Sequence, residues 1–317
     1  MAQRGQVAGG GRIPDAFARA LAGRPATPGG PDCDSWLRRL PGLVDSAARR
    51  WELTIDDAPA RFGECALVLP VTRRDGTPAA LKLTWPHRES RHEHLALRAW
   101  SGDGAVRLLA AYPSEDALLL ERLDPDSDLT GVDEYDACQI IGGLLARLDR
   151  PALPQLDTLS AWVDDFTGRA TQGTPHLPRR FLEQARALAV ELAADAQAVD
   201  ARLVHTDLHY ENVLAHPVSH EWLAIDPKPM AAEPTFAVWP ALHNRWAEAA
   251  GDSEGELRWS IRCRLGWLCD AAGIDEDRSR AWALVRTVDD AIDLAAAGDA
   301  EAVSQRVRLL KALQPDA

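Results

Sequence analysis

The segment His205-Thr206-Asp207-Leu208-His209-Tyr210-Glu211-Asn212 reads H-x-D-x-x-x-x-N, and the apolar run Trp222-Leu223-Ala224-Ile225 then delivers a second aspartate, Asp226. A carboxylate that can take a hydroxyl proton, then a neutral amide oxygen, then another carboxylate is a set that suits phosphoryl transfer to an alcohol. In that chemistry Asp207 is the candidate catalytic base, and Asn212 and Asp226 are the candidate ligands of a Mg²⁺ that carries nucleotide phosphates. A base that orients the hydroxyl and takes its proton late suffices. His205 is expected to brace the loop by hydrogen bonding rather than to react. His209, two residues past the base, has two open readings: approach to the phosphoryl group, or packing of the loop.

Phosphates also need a cation. Ala79-Ala80-Leu81-Lys82-Leu83 reads as the return strand of a hairpin whose turn carries Asp75-Gly76, with Ala66 to Val71 as its first strand. Lys82 is therefore the candidate clamp on the nucleotide phosphates. Its carboxylate partner is expected from the following helix, as Glu93 or, alternatively, Glu89. Arg61-Phe62-Gly63-Glu64-Cys65 is the candidate phosphate-covering loop, and it holds a single glycine. Glu121-Arg122-Leu123 closes a strand where an adenine would meet backbone groups, which makes Glu121 and Leu123 candidate nucleotide contacts.

These residues need a scaffold. Residues 1–31, rich in Gly, Pro and Arg, read as a flexible arm with one short helix over Pro14 to Leu21. Apolar positions from Trp36 to Ala47 recur at helical spacing, with Pro41-Gly42 expected to divide the run into two helices. Strands are expected at 106–112 and 117–121, then a polar, Pro-broken linker from Leu123 to Asp128. Beyond it helices are expected at 133–149, 158–168, 178–199, 237–250, 256–271, 276–297 and 300–313. A hairpin of Val213-Leu214-Ala215 with Trp222 to Ile225 would set Asn212 and Asp226 side by side. The fold class is thus α+β and bilobal: a small β-rich N-lobe over 32–123 and a larger, mainly helical C-lobe over 124–317.

Composition bounds the partners. The 317 residues are 46% apolar, enough for a sizeable core, and carry a net charge of −13. That charge argues against nucleic acid as a partner and suits a small cationic molecule or plain solubility. No apolar run approaches the roughly 18 residues of a membrane helix, and the Gly-rich start lacks a signal-peptide core. Five cysteines without a C-x-x-C pair are expected as free thiols in a reducing cytoplasm.

Taken together, these residues resemble the aminoglycoside phosphotransferase family, with its protein-kinase-like fold, and more specifically its streptomycin 6-kinase and hydroxyurea phosphotransferase branch. The resemblance rests on Ala79 to Lys82, Leu97 to Leu109, Leu118 to Leu123, His205 to Leu214, and the W-L-A-I-D-P-K-P stretch Trp222 to Pro229. It implies ATP as donor, with GTP the alternative, together with Mg²⁺ and a small hydroxylated acceptor such as streptomycin, an activity of the antibiotic-resistance type. By position it implies the same base, metal ligands and clamp: Asp207, Asn212, Asp226 and Lys82. One stretch departs from it. Where the family often shows G-D-P-x-F-D, this chain has Ala232-Glu233-Pro234-Thr235-Phe236-Ala237, so the last carboxylate, which supports the catalytic loop, is missing. A catalytically weak kinase-fold binder is the alternative function that this departure favours. Asp164, Asp165, Glu134, Glu233, Trp239, Asn244 and Trp246 are the candidates for contacting a cationic acceptor.

Overall fold

The computed structural model describes residues 13–24, 30–251 and 253–315. The chain divides into two compact units. One comprises residues up to Pro125 together with the turn His216–His220. The other comprises Asp126–Ala215 and Glu221 onward.

The first unit is built on a six-stranded antiparallel sheet: β1 (Thr54–Ile55), β2 (Arg61–Phe62), β3 (Ala66–Thr72), β4 (Pro78–Thr84), β5 (Leu108–Tyr112) and β6 (Ala117–Glu121). The order is β1-β3-β4-β6-β5, with β2 also on β3. Asp75 and Gly76 make the β3–β4 turn: Gly76 takes φ +84°, and the Asp75 carboxylate accepts the Thr77 amide hydrogen at 2.9 Å. Alternation along β4 sends Ala79, Leu81 and Leu83 into the core and Lys82 to the opposite face. That core is closed by α1 (Asp15–Leu21) and α2 (Cys33–Arg50), while α3 (Glu93–Trp100) follows β4.

Two expectations are corrected here. Pro41 lies inside one continuous helix, α2. An interior proline costs about 3 kcal/mol. The helix buries Trp36, Leu40, Leu43 and Val44 on one face, each worth about 1.5–3 kcal/mol, so tertiary burial outweighs the break. The flexible arm is also corrected where it is described: α1 docks, with Phe17 and Leu21 fully buried and Phe17 edge-on to Trp36. The arm's residues 1–12 and 25–29 lie outside the described residues.

The second unit is mainly helical: α4 (Glu134–Arg147), α5 (Leu159–Arg169), α6 (Arg179–Leu192), α7 (Ala196–Val199), α8 (Trp239–His243), α9 (Trp246–Ala250), α10 (Glu254–Ala272), α11 (Glu276–Ala296) and α12 (Ala300–Ala312). Two small antiparallel sheets sit among the helices. One is β11 (Pro229–Ala232), β8 (Arg202–His205) and β7 (Arg150–Pro151), in that order. The other is the hairpin β9 (Val213–Ala215) with β10 (Trp222–Ala224). At Gly142 helix α4 meets α10 so closely that a Cβ there would sit 2.6 Å from the Ala271 Cβ.

The single helix expected over 237–250 is instead a 3₁₀ turn, α8, a break at Asn244-Arg245, and α9. The fully buried Arg264 of α10 explains the break. Its guanidinium donates to the Asn244 carbonyl at 2.7 Å and to those of Leu242 and Arg245 at 3.4 Å. Those carbonyls are satisfied sideways, so Arg245 can turn through φ +51°. Glu134 neutralises Arg264, with Nε donating to Oε1 at 2.6 Å.

Candidate active site

The H-x-D loop is the link between two β-ladders. Strand β8 pairs with β11 in the register His205↔Pro229, and the ladder runs one step further, with both the amide and the hydroxyl of Thr206 donating to the Lys228 carbonyl at 3.1 and 2.8 Å. Beyond Thr206 the chain leaves the sheet. Leu208 and Tyr210, both fully buried, anchor it from below, so Asp207, His209 and Glu211 fall on the other side. The Tyr210 ring lies under the guanidiniums of Arg245 and Arg264. A short 3₁₀ turn, Tyr210–Asn212, then feeds β9.

Local hydrogen bonds fix the polar groups. The Asn212 amide nitrogen donates one hydrogen to the Asp207 carbonyl at 2.8 Å and the other to His209 Nε2 at 3.0 Å. With both hydrogens placed, the orientation of the amide is set, and Oδ1 is the atom it can offer a cation. His205 is 1% exposed; burial pushes its imidazole down to about 4, so it is neutral at pH 7. Its Nδ1 accepts the Asp207 amide hydrogen at 3.1 Å, which leaves Nε2–H to donate to the Ile225 carbonyl at 3.0 Å. One imidazole thus ties the segment bearing Asp207 to the segment bearing Asp226. Burial also lowers His209, whose Nδ1 lies 3.3 Å from the Asn244 amide nitrogen.

The β9–β10 hairpin pairs Val213 with Ala224, and the Ile225 amide donates to the Asn212 carbonyl at 2.9 Å. Asp226 therefore follows one residue beyond the position opposite Asn212. It stands at φ +51°, a left-handed conformation that aspartate tolerates better than most residues, and there the chain turns toward β11. A carboxylate and a neutral amide oxygen at the open end of one hairpin fit Mg²⁺, which takes one or two carboxylates and fills its remaining positions with phosphate oxygens and water.

In the first unit Lys82 Nζ lies 2.6 Å from Glu93 Oε1, both side chains about 5% exposed or less. Of the two carboxylates considered, Glu93 makes this pair; it sits in the first turn of α3, where the helix dipole favours an anion. Glu121 ends β6 with its carboxylate accepting the Arg107 amide hydrogen at 2.6 Å, and Leu123 is buried two residues on. Between them Arg122 turns back into the sheet, donating to the carbonyls of Ala79 and Val71 and to Asp56. Arg61 to Cys65 forms β2 and the turn into β3, closed by a Gly63–Ala66 backbone bond of 3.0 Å.

Two residues near the loop carried no role in the sequence reading. Lys228 Nζ lies 3.0 Å from Asp207 Oδ2. Arg286, on α11, donates to the Thr206 carbonyl at 3.0 Å and the Phe236 carbonyl at 3.2 Å, with its guanidinium over the rings of Phe236 and Trp239. Arg286 therefore ties the Thr206 end of the loop to the 3₁₀ segment that carries Phe236. The D-P-K-P stretch held a signal for Lys228. Nothing in the sequence flagged Arg286, 80 residues from Thr206.

Several acceptor candidates are engaged in the fold instead. Glu134 holds Arg264, Asp165 pairs with Arg169, and Glu233 accepts from Arg278 and Trp282. The Trp239 indole donates to Thr287 and stacks on His243, and Trp246 lies under Arg308. Asp164 is exposed on α5. Asn244 adjoins the loop, its amide nitrogen 3.5 Å from Glu211 Oε2.

The chain resembles known proteins over most of its length. Residues 50–298 match the family described as aminoglycoside/hydroxyurea antibiotic resistance kinase. The chain is 38% identical over 280 residues to a streptomycin 6-kinase of Streptomyces griseus, covering 86% of this chain and 88% of that protein. It is 42% identical over 271 residues to a hydroxyurea phosphotransferase of Kitasatospora aureofaciens, covering 82% and 74% respectively. Among solved structures, the choline kinase LicA of Streptococcus pneumoniae superposes with a TM-score of 0.56 at 12% identity, covering 87% of this chain and 99% of that one. At such identity the likeness concerns the fold, which is bilobal and kinase-like, with an N-terminal sheet lobe and a larger helical lobe. The protein is a phosphotransferase of the kinase-fold class. Within that class it belongs to the aminoglycoside/hydroxyurea phosphotransferase family, which implies catalysis dependent on ATP and Mg²⁺. Among the described residues, no helix is long and apolar enough to cross a membrane.

Proposed function

We propose that this protein transfers the γ-phosphate of ATP to a hydroxyl of streptomycin or a related aminoglycoside. The observation that carries the reading is the doubly bonded Asn212 amide, oriented by Asp207 and His209 at the open end of the hairpin that also delivers Asp226. A binder that only sequesters nucleotide has no need of a base with a metal-ligand pair built around it. The names of the relatives, streptomycin 6-kinase and hydroxyurea phosphotransferase, support a small acceptor with a free hydroxyl.

In this reading Asp207 hydrogen-bonds the acceptor hydroxyl, aims its oxygen at the γ-phosphorus and takes its proton as the new P–O bond forms. Asn212 Oδ1 and the Asp226 carboxylate would hold Mg²⁺, which when bound neutralises charge on the phosphates. Lys82, kept in place by Glu93, binds the nucleotide phosphates. Backbone groups of the Glu121–Leu123 segment receive the adenine. His205 keeps the base segment and the Asp226 segment in register without itself titrating near neutral pH.

The test is transfer of labelled phosphate from ATP–Mg²⁺ to streptomycin, other aminoglycosides and hydroxyurea, with Asp207→Ala alongside. Transfer to an aminoglycoside that the substitution reduces by at least about 10³-fold is the expected result. ATP binding without transfer to any of these acceptors would overturn the proposal.

A further inference from the structure

We propose that Lys228 is a further catalytic residue, one that carries positive charge from the Asp207 carboxylate to the phosphoryl group in transit. The inference rests on the reading of Asp207 as the base.

The backbone around Lys228 is already secured, because its carbonyl accepts both the amide and the hydroxyl hydrogens of Thr206. Its side chain reaches Asp207, where Nζ lies 3.0 Å from Oδ2. The two side chains are 35% and 24% exposed, so both heads stand where an incoming molecule can reach them. A pair this exposed adds little to stability, so its value must be sought in the chemistry.

The geometry divides the labour between the two carboxylate oxygens. Lys228 holds Oδ2, so Oδ1 is the oxygen available to the acceptor hydroxyl. A hydroxyl held about 2.7 Å from Oδ1 shares one carboxylate with the ammonium on Oδ2, so a short gap separates that ammonium from the phosphoryl group the hydroxyl attacks. The flexible four-carbon stem of a lysine spans that gap by rotation.

The acceptor O–H bond breaks and its proton goes to Asp207 Oδ1. The oxygen's electron pair forms the new P–O bond. The bond from the γ-phosphorus to the β–γ bridging oxygen breaks, and its electron pair leaves on ADP. Lys228 keeps its three protons throughout. As Asp207 takes the proton its pull on the ammonium weakens, while negative charge is spread over the equatorial phosphoryl oxygens. The ammonium thus interacts more strongly with the transition state than with the ground state, the condition for acceleration.

The experiment compares Lys228→Met and Lys228→Arg with the unaltered chain. Affinities for ADP–Mg²⁺ and for ADP–Mg²⁺ with aluminium fluoride, which mimics the phosphoryl group in transit, are measured by calorimetry. Thermal unfolding verifies that each variant is folded. We expect Lys228→Met to bind ADP–Mg²⁺ within about threefold of the unaltered chain and to bind the aluminium fluoride complex about 10²-fold more weakly, the usual loss for one oxyanion donor. Lys228→Arg, which keeps the charge, should recover about half of that loss on a logarithmic scale. In transfer to streptomycin, kcat should fall by a similar factor while KM for ATP holds. Equal loss for both ligands, or none for either, would overturn the role of Lys228. Asp207→Asn separates the two readings: unchanged transfer in that variant refutes the base, whereas unchanged analogue affinity in Lys228→Met refutes Lys228 alone.

Discussion

Replacing Lys82 by Met is expected to destabilise the sheet-bearing unit far more than it should if the pair were an ordinary surface salt bridge. Lys82 and Glu93 meet at 2.6 Å with side chains only 5% and 4% exposed. Removing the ammonium leaves a carboxylate buried without its counter-charge, which costs about 3–5 kcal/mol, and Glu93→Leu does the same to the ammonium. Removing both charges together abolishes the desolvation problem, so Lys82→Met/Glu93→Leu should lie within about 1 kcal/mol of the parent or above it. Independent effects would sum to about 6–10 kcal/mol, so the cycle separates the two accounts widely. Urea unfolding followed by tryptophan fluorescence supplies the four stabilities, with Trp85 and Trp100 reporting from this unit. Calorimetry with ATP–Mg²⁺ supplies the functional half. The double variant should be stable yet bind nucleotide at least about tenfold more weakly, the loss of one charge-assisted contact. Single variants within 1 kcal/mol of the parent, or a double variant worse than either single, would refute the argument from burial.

Other perturbations test other parts of the fold. His205 is held near 4 when folded against 6.5 in the free chain, so the unfolded state alone binds a proton between those values and stability drains as pH falls through that window. The stability gap between the parent and His205→Gln should therefore shrink by about 2 kcal/mol from pH 7 to pH 5, measured as urea midpoints; a constant gap would contradict the burial cause. Gly142→Ala places a methyl 2.6 Å from the Ala271 Cβ and the Leu268 carbonyl, and should cost about 1–3 kcal/mol in thermal unfolding despite alanine's better helix propensity. Arg286→Met keeps the apolar stem over Phe236 and Trp239 but loses the bond to the Thr206 carbonyl; kcat is expected to fall about tenfold at constant KM for ATP. Unchanged kcat there would show that the loop holds its geometry without α11.

What could be read along the chain was whatever interacts within a few residues. Asn212 reaches back five positions to the Asp207 carbonyl, and His205 accepts from an amide two positions on, so the H-x-D-x-x-x-x-N spacing already encodes that local geometry. The β3–β4 and β9–β10 hairpins are likewise local, set by Asp75-Gly76 and by two short apolar runs. The tertiary structure decided what depends on distant partners. Burial of Trp36 and Leu40 carries α2 straight through Pro41, and Arg264 breaks the 237–250 run by drawing three carbonyls aside. Lys228 stands two residues from Asp226 in sequence, yet its ammonium meets Asp207, because pairing of β8 with β11 folds those segments together. Arg286 reaches Thr206 across 80 residues, a contact that no periodicity announces. Spacing encodes chemistry where the backbone itself sets the distance. Where packing of separate elements sets it, the same residues stay silent until the chain is folded.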